Sequence, residues 1–207
     1  MNKSMDIKSV TFFGSSHGEP GNPNFDSARA VAKEVAKTGR RVVNGGGAGV
    51  MLAATLGAKE EGGKTSVVYY KPELATMFEG KTAANQADES YEEVNYVTRT
   101  KRLLELGDAY IVFNGGTGTI SEFGMAWGVA RLYFGHHKPL ILYGDFWKNI
   151  MEDFKKYMLV RKEEYEVFTI VNSPSQAIEA LEKYEEIIIT NRHKHKDCNG
   201  VECRLLL

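Results

Sequence analysis

Three glycine-rich runs stand out in this chain, each directly behind a short apolar segment. They are Gly14-Ser15-Ser16-His17-Gly18, Gly45-Gly46-Gly47-Ala48-Gly49 and Asn114-Gly115-Gly116-Thr117-Gly118. Glycine lets the main chain approach a ligand closely, and a helix that opens behind such a turn presents unpaired N–H groups to an anion. Phosphate binding is the chemistry this pattern suits. Ser15 and Ser16 add hydroxyls, although serines are equally at home as plain turn residues. The triple glycine also suits close strand–helix packing. The third run continues Thr119-Ile120-Ser121-Glu122 and so carries a carboxylate. That tetrad alone reads as a capping box, with Glu122 bonded back to the Thr119 amide. Behind Gly-Gly-x-Gly at a strand end, the ligand-binding reading is the stronger one.

The elements that would hold these runs alternate between strand and helix. Strands are expected at 9–13, 41–44, 65–70, 91–96, 108–113, 139–143 and 168–171, with helices at 26–37, 50–61, 98–106, 119–134 and 146–159 between them. Leu103, Leu104 and Leu106 are expected to face inward. Phe146, Trp147, Ile150, Phe154 and Tyr157 form a stripe at core or subunit-contact spacing. Ser173-Pro174-Ser175-Gln176 opens a last helix with a capping box and a proline at its first position. Residues 71–90 carry little periodicity and read as a mobile excursion over the sheet edge. Repeated strand–helix units of this kind predict a doubly wound, mostly parallel α/β sheet of Rossmann-like type with helices on both faces. With a 3-2-1-4 strand order, the first and third glycine turns would flank the crevice where such sheets bind ligands.

Composition removes several classes. The 207 residues suit one domain, expected over 1–189, with a polar tail from 190 to 207. Lys and Arg total 26 against 27 Asp and Glu, a net charge of -1 that argues against a dedicated nucleic-acid binder. No apolar run approaches the ~20 residues of a membrane span, and the N-terminal residues lack the apolar stretch of a signal peptide. Both cysteines, Cys198 and Cys203, fall in the last ten residues, which fits a reducing cytoplasm rather than a disulfide framework. With His193 and His195 they make an irregular spacing, so a flexible tail is preferred over a zinc site. His136-His137 reads as exposed loop.

Both common nucleotide cofactors fit poorly. The first turn breaks the G-x-G-x-x-G spacing, and the second strand ends in Asn44-Gly45 without an acidic residue for a ribose hydroxyl. A dinucleotide oxidoreductase is therefore disfavoured. None of the turns supplies the Gly-Lys-Ser/Thr of a P-loop.

Gly115 to Glu122, together with Gly45 to Met51, resembles the motifs P-G-G-x-G-T-x-x-E and G-G-G-x-x-G-x-M of the Lonely Guy family of phosphoribohydrolases, older members of which were labelled lysine decarboxylase-like. The resemblance runs from about residue 9 to about residue 182. It implies hydrolysis of the N-glycosidic bond of a nucleoside 5'-monophosphate, either AMP or an N6-modified cytokinin riboside monophosphate. It also implies a catalytic pair, Arg99 and Glu122. Ser15, Ser16, Gly46, Gly47, Gly49, Gly115, Gly116, Thr117, Gly118 and Thr119 would hold the substrate and its phosphate. Neither a metal nor an organic cofactor is implied, and a cytoplasmic homodimer is expected, without nucleic acid or membrane as partner. Two positions depart from the family pattern: Asn114 stands where the motif has Pro, and Thr100 stands where Lys usually follows the Arg, with the basic residue moved to Lys101. These departures favour the alternative of a non-hydrolytic nucleotide- or pterin-phosphate-binding carrier or sensor.

Overall fold

A computed structural model describes residues 7–72 and 82–191, with side chains to residue 187. The described residues form seven strands and six helices. They are β1 (Ser9–Phe13), α1 (Pro23–Lys37), β2 (Arg41–Asn44), α2 (Val50–Glu60), β3 (Thr65–Tyr70), β4 (Glu89–Glu93), α3 (Tyr96–Leu106), β5 (Ala109–Val112), α4 (Thr117–Leu132), β6 (Leu140–Tyr143), α5 (Phe146–Tyr157), β7 (Phe168–Val171) and α6 (Pro174–Asn191). A short 3-10 turn, Lys162–Tyr165, precedes β7.

All strand pairs are parallel, in the order β4-β3-β2-β1-β5-β6-β7. The chain winds outward from β1 to β4, returns to β5 beside β1, and winds outward again to β7. The expected central order holds, with β4 added at one edge, so the strand order reverses between β1 and β5. Side chains alternate across the sheet with the period of two that pleating dictates. Val10, Phe12, Ile111 and Phe113 face one core, closed by Phe25 and Val31 of α1, Ala54 of α2 and Leu181 of α6. Phe13, Tyr110 and Val112 face the other, closed by Leu103 and Leu104 of α3, Phe123 of α4 and Trp147 of α5. Helices therefore cover both faces, as a buried parallel sheet requires.

Several boundaries differ from the sequence expectation. The fourth strand lies at Glu89–Glu93 rather than 91–96, because Asn95 caps α3. Its side chain accepts from the Thr98 amide at 2.9 Å, and Thr98 Oγ1 accepts from the Asn95 amide at 3.3 Å. That box draws Tyr96 and Val97 into the helix. At the last helix, Ser173 Oγ accepts from the Gln176 amide at 3.2 Å, and Gln176 reaches back to the Asn172 amide at 2.8 Å. Of the expected stripe on α5, Trp147 is buried while Tyr157 stands 70% exposed. Residues 190 and 191 of the expected tail end α6, and the rest, with His193, His195, Cys198 and Cys203, lies outside the described residues. Among the described residues no helix is long and apolar enough to cross a membrane.

Candidate functional site

The first and third glycine turns meet at the β1/β5 switch point. The Ser15 amide donates to the Asn114 carbonyl at 3.0 Å, and Asn24 Nδ2 donates to the same oxygen at 3.0 Å. Both bonds use the main-chain carbonyl of residue 114, which a proline would present equally, so the Asn leaves this junction intact. The second turn closes on the first: the Val50 amide donates to the Ser15 carbonyl at 2.8 Å. Gly49 sits at φ +59 against that carbonyl, where any Cβ would collide with it. All three turns thus converge at the carboxyl end of the sheet.

Helix α4 starts at Thr117, two residues before the expected point. Gly116 occupies its N-cap in extended conformation with no side-chain cap, and regular helical bonding begins with the Ile120 amide on the Gly116 carbonyl at 3.0 Å. The amides of Thr117, Gly118 and Thr119 are left without intrahelical acceptors at the positive end of the helix dipole. Nothing approaches the side of Gly116 where a Cβ would stand. This early start also rules out the capping-box reading of Thr119 and Glu122, since Glu122 lies in the second turn of the helix.

Glu122 points instead toward α3. Its Oε1 accepts from Arg99 Nη1 at 2.9 Å, with the Arg99 and Glu122 side chains 11% and 8% exposed. The guanidinium is held on two further sides, by Nε donating to the Val68 carbonyl at 3.1 Å and Nη2 to the Gly45 carbonyl at 3.4 Å. Burial pushes the Glu122 carboxyl above its ordinary value, and Arg99 pulls partly against that. Gly45 lies so close beneath the guanidinium that a Cβ there would collide with Arg99 Nη2. One turn earlier on α3, the Tyr96 hydroxyl donates to the Gly118 carbonyl at 3.2 Å and contacts Ser121 Oγ, so α3 grips α4 at two adjacent places.

The remaining candidates sort by geometry. Ser15 Oγ accepts from the His17 amide at 3.0 Å, a turn-stabilising role. Ser16 is half-buried beside it. The Gly46 amide is already taken by Asn44 Oδ1 at 2.9 Å, and the Gly47 carbonyl accepts from Asn85 at 2.9 Å. The Gly46 amide is thus engaged within the turn, and Gly45 of the same turn lies beneath Arg99. Lys101 lies outside the site, exposed and paired with Glu105. Thr100 is buried and donates to the Tyr96 carbonyl one turn back.

Sequence reasoning missed Asn44, Thr55 and Asn85, which are buried together. Residues 82–88, part of the stretch expected to be a mobile excursion, are bonded onto the site: the Thr82 amide donates to the Gly46 carbonyl at 3.1 Å. Asp88 accepts from the Thr65 amide at 2.7 Å. The rest of that excursion, 73–81, lies outside the described residues. Asn followed by Gly at the end of β2 was a readable signal for Asn44; Thr55 and Asn85 had none.

A parallel Rossmann-like sheet, with glycine turns and an Arg–Glu pair gathered at the carboxyl ends of its strands, defines the class. Within it, residues 33–181 match the family described as "Possible lysine decarboxylase", and the chain belongs to that family, in agreement with the Lonely Guy resemblance. It is 32% identical over 142 residues, 67% of this chain and 68% of the relative, to a Rhodococcoides fascians protein named cytokinin riboside 5'-monophosphate phosphoribohydrolase. Its fold is similar to the molybdenum cofactor binding protein of Rippkaea orientalis, with a TM-score of 0.64 and 23% identity over 87% of this chain and 99% of that one. It is also similar to the molybdenum cofactor carrier protein of Chlamydomonas reinhardtii, with a TM-score of 0.62 and 19% identity over 86% and 97% of the two chains.

Proposed function

We propose that this protein hydrolyses the N-glycosidic bond of a nucleoside 5'-monophosphate, AMP or an N6-modified relative of it, to the free base and ribose 5-phosphate. The observation that carries this reading is the buried Arg99–Glu122 pair, 2.9 Å long, set beside the uncapped start of α4. The amides of Thr117, Gly118 and Thr119 take the 5'-phosphate, and that remote anchor positions the sugar. Glu122 then faces the ribose. Cleavage builds positive charge on the ring, as in glycoside hydrolysis, and a fixed carboxylate stabilises it and orients water. Water adds its oxygen to the anomeric carbon as the bond to the base breaks. The electron pair leaves with the base nitrogen, and the proton released by water balances that charge. Arg99 orients Glu122 and, being planar and two-pronged, can turn part of its donor set to the substrate's oxygens. Hydrolysis by this route calls for neither metal nor organic cofactor. The name of the Rhodococcoides fascians relative supports the same substrate class.

A second reading is a carrier or sensor that keeps the phosphate site without turnover. It is favoured by Thr100 and Asn114 at the motif positions, and by the molybdenum cofactor proteins that share the fold. Release of adenine from AMP by the purified protein separates the two. Release that is abolished by Glu122→Gln supports hydrolysis, whereas tight AMP binding without release supports the carrier.

We propose further that the chain pairs with a second copy through α4. Ile120, Gly124, Gly128 and Leu132 fall on one stripe at four-residue spacing, with Ile120 56% and Leu132 68% exposed. Small residues at the centre and large ones at both ends match themselves when two such helices cross about a two-fold axis.

A further inference from the structure

Asn44, Thr55 and Asn85 come from β2, from α2 and from the segment before β4, and close a ring of hydrogen bonds. Asn44 Nδ2 donates to Thr55 Oγ1 at 2.8 Å, Thr55 Oγ1 donates to Asn85 Oδ1 at 2.6 Å, and Asn85 Nδ2 donates to Asn44 Oδ1 at 3.2 Å. Every donor runs in the same sense around the ring, so one arrangement of both amides satisfies all three corners. The three residues are 0%, 2% and 1% exposed. A buried polar network this fully paired is rigid, and a single missing donor is costly.

The ring has two outlets, and both lead to the second glycine turn. Asn44 Oδ1 accepts from the Gly46 amide at 2.9 Å, and the second Asn85 N–H reaches the Gly47 carbonyl at 2.9 Å. Gly45 is therefore clamped on both sides. It is also the residue on which the Arg99 guanidinium rests, its carbonyl accepting from Nη2 and its Cα leaving no room for a side chain. A floor that shifted by a fraction of an ångström would either strike the guanidinium or lose its bond.

We infer that Asn85 is a positioning residue: through the ring with Asn44 and Thr55 it fixes the Gly45–Gly47 turn and so sets the placement of Arg99 against Glu122. It touches no substrate. It acts at one remove, from a part of the chain that carries no recognisable motif. The inference deepens the reading of Arg99 as part of the reactive pair, but its structural core stands without turnover.

Asn85→Asp keeps the shape and removes both N–H donors. Thr55→Val breaks the opposite corner with little change in volume and serves as the second variant should the first fail to fold. In the ligand-free full-length protein the Arg99 Nε–H resonance, assigned by its loss in Arg99→Lys, reports the guanidinium directly. Either folded variant should displace that resonance. An unchanged Arg99 Nε–H resonance in either folded variant overturns the inference. The second readout is AMP turnover. Asn85→Asp should lower kcat about tenfold, within the range of coupling for residues in one network, and the double variant with Arg99→Ala should be no slower than Arg99→Ala alone. Additive losses would contradict a role exercised through Arg99. Absence of adenine release from the unaltered protein would count against the hydrolase and leave the resonance to decide this inference.

Discussion

Arg99 and Glu122 lie 23 positions apart on different helices, and their side chains meet at 2.9 Å, with the guanidinium resting on the turn that follows β2. The pair is buried, yet it stands next to the open amides of Thr117 to Thr119. A carboxyl buried this far is a costly arrangement for stability, and such costs concentrate where chemistry is done.

That cost has a pH signature. The Glu122 carboxyl is raised by burial above its ordinary 4.5, so the folded protein holds that proton more tightly than the unfolded chain does. A raised folded value contributes stability that is complete below 4.5 and is lost as pH climbs through the folded value. The stability of Glu122→Gln relative to the unaltered protein should therefore be flat below pH 4.5 and rise above it. Denaturant unfolding of both proteins across that range checks the sign, and a variant that loses ground with rising pH would contradict it.

Gly45→Ala should damage the site more than the fold. The residue has no positive φ to protect, but a Cβ would strike Arg99 Nη2 and stand 2.8 Å from Met51 Sδ. The guanidinium must yield, at a cost typical of overpacking, about 1–3 kcal/mol. The expected outcome is a cooperative unfolding transition with adenine release from AMP reduced at least as far as by Arg99→Lys. Gly116→Ala meets no neighbouring atom, so its effect on stability should stay within the roughly 1 kcal/mol by which alanine is the poorer N-cap.

The exposed stripe on α4 makes a concentration-dependent prediction. Nothing surrounds the Cβ positions of Gly124 and Gly128, so Gly128→Gln should be accepted by an isolated subunit and gain helix propensity, about 0.5–1 kcal/mol. If two α4 helices pack there, the same change should convert a dimer to a monomer in sedimentation. A dimer that survives unchanged would place the contact on another face.

Lys138 offers a test remote from the site. Its Nζ is buried against the end of α3, donating to the Leu104 carbonyl at 2.7 Å, and burial brings it down to about 8 from 10.5. A lowered folded value contributes stability above 10.5 that is lost as pH falls through about 8. Relative to Lys138→Met, the unaltered protein should gain on the order of 3 kcal/mol between these limits. Chemical denaturation at pH 7.5 and pH 10.5 reads this difference.

The sheet was legible because its strands are short apolar runs bounded by glycine and polar turns. Ser9–Phe13, Arg41–Asn44, Thr65–Tyr70 and Phe168–Val171 lie where the sequence places them. The start of α4 was not, because Gly116 caps it with extended backbone while Thr119 and Glu122 imitate a side-chain box. Asn95 and Thr98 hid the start of α3 for the converse reason, an Asn–Thr pair doing the work usually done by Ser or Thr with Glu. The motif register brought Arg99 and Glu122 into view. The polar ring beneath them could not be read, since Asn85 and Asn44 meet only through the fold and neither position repeats with any period.

The most direct measurement is a crystal structure of Glu122→Gln with AMP, a variant that should bind without turning over. The phosphate is expected within hydrogen-bond distance of the Thr117, Gly118 and Thr119 amides, with the ribose lying against residue 122. AMP bound with its phosphate elsewhere, or its sugar turned away from residue 122, would contradict the proposed chemistry.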